Sequence, residues 1–284
     1  MDVKAIDIHV HPQTEEMIKA AGARGAQMAA YFGRGERKPV SFQEMADMYR
    51  EWNTMAVLMN STDETVTGNK PVPNDHLADA QKHHPDVFIA FGVIDPWMGQ
   101  RAVEEVKRCH EELGMRGIGE LNPGRQLFHP HDRRFYPIWE ECAKRNLIVL
   151  FHTGMMAAGA GTRGGMGFKL EYTRPIPDLD TIAADFPDMT IIGAHPSWPW
   201  QAEALAVARH KANYYIDISG WAPKYFPPEL VHYANTIIQD RVLFGTDWPM
   251  LTLDRYMREF NELPLKPEVR QKILLDNAKK LLGL

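Results

Sequence analysis

Short apolar runs recur along the chain, each bounded by turn residues and separated by stretches with helical spacing. They fall at residues 3–11 (VKAIDIHVH), 55–60 (MAVLMN), 87–95 (VFIAFGVID), 116–121 (RGIGEL), 147–154 (LIVLFHTG), 189–195 (MTIIGAH), 214–220 (YYIDISG) and 241–247 (RVLFGTD). Rich in Val, Ile and Phe, they predict strands buried on both faces. Helices are expected between them. Ser41 opens residues 41–52 with a capping-box spacing to Glu44. Asp132 opens residues 132–146, where Pro137 fits only near the first turn. Residues 102–113 and 200–212 carry apolar positions at helical spacing, and residues 267–282 predict one or two closing helices. Strand–helix units in unbroken succession predict an α/β fold, a single-domain (β/α)8 TIM barrel over residues 1–284. An open doubly wound sheet is the alternative. It would want a Gly-rich phosphate turn after its first strand, where His9-Val10-His11-Pro12 stands instead.

Three connections are long: residues 13–37 after the first strand, 122–131 after the fourth and 155–174 after the fifth. All leave the C-terminal face of the predicted barrel, where such folds build their sites. The Gly-rich start of the third is a candidate lid over a substrate.

Composition narrows the function. A 284-residue chain with 44% hydrophobic and 24% charged residues has the balance of a globular protein. A formal net charge of −5 leaves no basic excess for nucleic acid. Two cysteines, Cys109 and Cys142, do not make a disulfide scaffold. No apolar run approaches the ~18–20 residues of a membrane span, and the N-terminal residues lack the charge pattern of a signal peptide. The expectation is a cytoplasmic enzyme with a small-molecule substrate and no nucleic-acid or membrane partner; homo-oligomerisation is left open.

The chemistry gathers at predicted strand ends. His9 and His11 are two apart, so they project from one face, as a chelate for a divalent cation requires. His152, His195 and Asp247 each end another apolar run. One histidine after a strand is ordinarily a capping or core residue. Several at the ends of barrel strands converge on one pocket. Asp7, on the expected face of His9 but deeper, and Asp217 are candidate acceptors for a ligand imidazole N–H. His129 and His131 on the fourth connection are minor candidates for substrate contact.

At these residues the sequence resembles the amidohydrolase-related family of the metal-dependent amidohydrolase superfamily. The likeness rests on His9-Val10-His11, Phe151-His152-Thr153-Gly154, Gly193-Ala194-His195-Pro196, Gly245-Thr246-Asp247-Trp248-Pro249 and the ending Asn277-Ala278-Lys279-Lys280-Leu281-Leu282. The resemblance implies that His9, His11, His152 and Asp247 ligate one divalent cation, zinc being expected and manganese the alternative. It makes His195 the catalytic or substrate-polarising histidine. Asp247 is a second catalytic candidate, as general base. Binuclear members often carry a carbamylated lysine at the end of strand four. Here that strand holds Glu120, which favours one metal; Glu120 is a further ligand, a substrate contact, or an ion-pair partner of Arg116 or Arg125.

Arg125, Arg163, Lys169 and Arg174 on the long connections are candidates for holding an acid group, and Trp198, Trp248 and neighbouring aromatics for an aromatic wall. The leading expectation is hydrolysis, a metal-activated water attacking the carbonyl of an ester, lactone, thioester or β-keto acid. Non-oxidative decarboxylation of an aromatic or muconate-type acid is the alternative, and a non-catalytic binding barrel is a third reading. The His and Asp set does not separate the first two.

Overall fold

The computed structural model describes residues 1–284. Eight strands form one parallel sheet in sequential order: β1 (Ala5–Val10), β2 (Thr54–Leu58), β3 (Phe88–Gly92), β4 (Gly117–Leu121), β5 (Ile148–His152), β6 (Thr190–Ala194), β7 (Tyr214–Asp217) and β8 (Val242–Leu243). The ends of the sheet meet. Ile8 N–H donates to Phe244 O at 2.9 Å, Asp247 N–H to His9 O at 2.9 Å, and His11 N–H to Trp248 O at 2.8 Å. The predicted barrel is therefore the observed one.

The eighth strand is shorter than the sequence pattern predicts. Past Leu243 the chain leaves β7 and runs along β1 instead. Asp7, buried beneath, accepts from Thr246 N–H at 2.9 Å and from Thr246 Oγ1 at 2.6 Å, and Asp247 adopts a φ of 57°. That turn aims the Asp247 side chain into the barrel mouth.

Outer helices follow the strands: α1 (Glu15–Tyr31), inserted after β1, α2 (Phe42–Glu51), α3 (Asp75–His83), α4 (Gln100–Glu111), α5 (Tyr136–Lys144), α6 (Asp178–Asp185), α7 (Gln201–His210), α8 (Pro228–Ala234) and α9 (Leu253–Asn261). A helical run over residues 267–282 closes the chain. The capping box at Ser41 and Glu44 forms as its spacing predicts. The main hydrophobic core lies between sheet and helices. A smaller one, with Ile6, Ile8, Val57, Ile89, Leu150, Ile192 and Leu243, fills the barrel, and Ala278 and Leu282 of the C-terminal run join it. No helix is long and apolar enough to cross a membrane.

Candidate active site

The C-terminal ends of β1, β4, β5, β6 and the turn after β8 surround one cavity of about 180 Å³. Its lining includes His11, Glu120, His152, His195 and Asp247. His9 lies fully buried directly beneath, with its Nε2 3.0 Å from His11 Nε2. Six residues from five places in the chain thus meet at one point.

Hydrogen bonds fix which imidazole nitrogens face the cavity. His9 Nδ1 is 3.0 Å from Asp217 Oδ2, so the carboxylate takes the N–H and leaves the Nε2 lone pair toward His11. Asp217 Oδ1 accepts from Ser219 N–H at 2.9 Å, which anchors it. His152 Nδ1 donates to Glu120 Oε1 at 2.7 Å, and its buried Nε2 has no partner. His195 Nδ1 lies 3.1 Å from the Ser219 carbonyl and 2.9 Å from Ser219 Oγ. The carbonyl can only accept, so Nδ1 carries a proton and Nε2 faces the site, 3.1 Å from His152 Nδ1 and 3.7 Å from Glu120 Oε1.

The electrostatics call for a cation. Burial opposes charge on His9, yet Asp217, with Asp247 and Glu120, pushes its pKa up to about 10. Burial likewise opposes ionisation of Glu120, and the surrounding His152, His11 and His195 hold it well below the usual carboxylate range. Burial keeps His152 on the neutral side. For His195, burial is outweighed by Glu120, and the pKa rises.

The donor atoms fit a metal. His9, His11 and Asp247 offer ligand atoms all within 4.8 Å of one another, and so do His9, Glu120 and His195. Asp247 Oδ1 is 3.5 Å from His11 Nε2 and 3.7 Å from His9 Nε2, and Glu120 Oε2 is 3.5 Å from His11 Nε2. The orphaned His152 Nε2, in a site with no other use for a buried lone pair, points to the same chemistry. His152, expected as a ligand, is in neither group of three, though its Nδ1 on Glu120 leaves Nε2 free; His195, expected off the metal, belongs to one of them.

Several expected residues lie elsewhere. Arg163 is on the exposed rim of the connection after β5 and does not line the cavity. Trp198 is 47% exposed and packs against Trp221, and Trp248 is buried in the core between sheet and helices. Asp7 does not hold an imidazole. The register shifts between Asp7 and Val10, and Asp7 instead accepts from Tyr49 of α2 at 2.9 Å. Arg174 pairs with Glu203, while His129 and His131 clamp Asp178 at 3.1 and 2.6 Å, away from the cavity. Arg125 does line the cavity, beside Asp63, and Glu120 faces histidines rather than Arg116 or Arg125. The Gly-rich connection after β5 contributes Met156, Ala157 and Ala158 to the lining; farther along, Gln27 of α1 ties it down through Gly159 N–H at 2.9 Å and Ala160 O at 2.7 Å.

Arg24 and Asp63 also face the cavity and were not singled out by sequence. The available signal was the basic bias of residues 17–35, which hold Lys19, Arg24 and Arg34 and no acid.

Two variants probe this frame. Asp217→Asn should weaken divalent-metal affinity by about 10–100-fold without unfolding the barrel, because the His9 ring loses its anchor and basicity; metal titration of the apoprotein measures it. Gly220 has a φ of +73°, and a Cβ there would stand 2.7 Å from His195 Nδ1 and 3.2 Å from Asp247 Oδ2. Gly220→Ala should therefore displace His195 and lower kcat by roughly tenfold or more, read by steady-state kinetics beside an unchanged circular dichroism spectrum.

A TIM barrel whose strand ends gather histidines and carboxylates around a cavity is the architecture of a metal-assisted enzyme. The chain belongs to the amidohydrolase family, whose model matches residues 6–284. Among curated relatives, a gamma-resorcylate decarboxylase from Rhizobium sp. (strain MTP-10005) is 24% identical over 247 residues, covering 74% of this chain and 75% of that protein. A 2-amino-3-carboxymuconate-6-semialdehyde decarboxylase from Dictyostelium discoideum is 35% identical over 248 residues, covering 74% of this chain but 65% of that protein. Among solved structures, an uncharacterized TIM-barrel protein from Bordetella bronchiseptica superposes with a TM-score of 0.78 at 26% identity, each chain covered to 99%. A 5-carboxyvanillate decarboxylase from Novosphingobium aromaticivorans, complexed with manganese and 4-hydroxy-3-methoxy-5-nitrobenzoic acid, gives a TM-score of 0.73 at 19% identity, covering 99% of this chain and 96% of that one. The two curated relatives are decarboxylases. They overturn hydrolysis as the leading expectation, which the ligand pattern alone had no means of separating from carbon–carbon cleavage.

Proposed function

We propose that the protein is a metal-dependent, non-oxidative decarboxylase of a small aromatic or unsaturated carboxylic acid. The observation that carries this reading is the sequence match to decarboxylases over about three quarters of the chain. The cavity supports it: about 180 Å³ is below the ~300 Å³ of pockets for drug-sized ligands and suits one ring or a short unsaturated acid.

His9, His11 and Asp247, with Glu120 and His152 beside them, would hold one divalent cation. Manganese, bound by the 5-carboxyvanillate neighbour, is the metal to load first and zinc the comparison. When bound, the cation supplies positive charge that orients the acid and spreads its developing negative charge. The remaining work falls to the chain. His195, with Nδ1–H fixed on the Ser219 carbonyl, presents Nε2 as the atom that holds and delivers a proton. In the reaction, that proton adds to the carbon bearing the carboxylate, the carbon–carboxylate bond breaks, its electron pair returns to the unsaturated system and CO2 leaves. His195 then regains a proton from solvent. The buried walls around it keep water from competing.

The manganese-loaded enzyme is to be incubated with a panel of hydroxybenzoates and muconate-type acids, alongside lactones and thioesters. Headspace CO2 with a one-carbon-shorter product, deuterated at the vacated carbon in D2O, is expected. Acid release from a lactone or thioester with no CO2 from any acid would overturn the proposal.

A further inference from the structure

The same cavity is lined by Arg24, Arg34 and Arg37 from the insertion after β1, and by Arg125 from the turn after β4. Arg34 is occupied, donating to the Pro249 and Met250 carbonyls at 2.9 and 2.6 Å. Arg24 and Arg125 are not. Each places its Nε beside the same oxygen, Asp63 Oδ2, at 3.3 and 3.4 Å, in ion-pair contact without a formed hydrogen bond. Arg125 is 5% exposed, and its Nε and Nη2 have no hydrogen-bond partner.

Two guanidiniums on one carboxylate leave an uncompensated positive charge at a largely buried place, which is costly for a fold to keep without a use. The strain registers on Arg24, whose pKa falls to about 9, first through the charge of Arg125 and then through burial. A bound anion would relieve both. The histidine–carboxylate cluster with its cation already accounts for the acid group that departs.

We propose that Arg24 and Arg125 form a second anion seat, so that the substrate is a diacid: one carboxylate leaves, and a second acidic group, retained in the product, is gripped by this pair. Asp63 is the stand-in that both guanidiniums face when the seat is free, and its single shared oxygen makes it a weak competitor. Guanidinium forks suit a planar carboxylate, which they can engage through two N–H groups. The inference rests on the decarboxylase reading only for which group departs; the seat itself is a binding property.

The test is therefore binding. Isothermal titration of the manganese-loaded protein compares benzoate with the 1,2-, 1,3- and 1,4-benzenedicarboxylates. At least one diacid should bind 30-fold or more tighter than benzoate. Arg24→Met and Arg125→Met should each bring that diacid down to the benzoate level while leaving benzoate unchanged. Asp63→Asn, which removes the competing carboxylate, should tighten the diacid several-fold, a gain that a damaged fold does not produce. Equal binding of benzoate and every diacid would overturn the proposal. So would an equal loss of both ligand classes in the arginine variants, which would place the only carboxylate on the arginines. Absence of CO2 with any acid, alongside a persisting diacid preference that depends on the arginines, would overturn the decarboxylase reading and leave the seat standing.

Discussion

His9→Ala combined with His11→Ala is expected to strip the protein of its divalent cation and to reduce turnover by on the order of 10³ or more. The pair supplies two nitrogens 3.0 Å apart, and with Asp247 forms one group of donors in the cavity. His9 is fully buried, and its Nδ1 is committed to Asp217, so only its Nε2 can serve a metal. Elemental analysis after dialysis against manganese reads the outcome: about one equivalent in the wild type, and almost none in the variant. Circular dichroism should be unchanged, since both histidines lie above the barrel core. Metal affinity of the wild type should also depend on pH. The acids around His9 favour a proton as they favour a metal, and hold its pKa up to about 10. Protons and metal therefore compete through the neutral range, and affinity should fall as pH is lowered, roughly tenfold per unit for each proton displaced. A metal-stripped wild type with full activity would refute the assignment.

His195→Asn should behave differently. It should retain the metal and the fold yet lose at least ~10²-fold in kcat, within the range general acid–base groups contribute. The backbone at His195 has a φ of 69°, a conformation that residues without a special role seldom adopt. Pro196 follows, Asp217 Oδ1 accepts from the His195 N–H at 3.4 Å, and Ser219 takes its Nδ1–H. This scaffolding orients one nitrogen, Nε2, into the site. Asn can replace the donor to Ser219 but cannot carry a proton to carbon. The comparison variant is Asp247→Asn, which should lower metal affinity and rate together. Metal release by His195→Asn as ready as by Asp247→Asn would make His195 a ligand, completing a group with His9 and Glu120.

The face on which a side chain ends up is where sequence and structure part. Strict alternation along β1 puts Asp7 and His9 on one side, which makes Asp7 the expected support for an imidazole. The register shift between Asp7 and Val10 separates them: Asp7 goes to Tyr49 and Thr246, and Asp217 from β7 takes the His9 ring. Trp248 looks like a site residue because it adjoins Asp247. The turn that sends Asp247 into the cavity sends its neighbour into the core.

The sequence by itself determined the barrel and the convergence of His9, His11, His152, His195 and Asp247, and left the place of Glu120 open. Eight apolar runs of strand length can bury both faces only in a parallel sheet wrapped by helices, and a closed sheet brings every strand end to one mouth whatever its distance along the chain. Only the tertiary structure decided the pairing within that mouth: Asp217 to His9, Glu120 to His152, Ser219 to His195, and Arg24 with Arg125 on Asp63. Those partners come from different elements, and strand register, the exit angle of each turn and the docking of α1 set their contacts at ångström scale. Periodicity along a chain carries no such information, because it records which face a residue occupies but not what stands opposite.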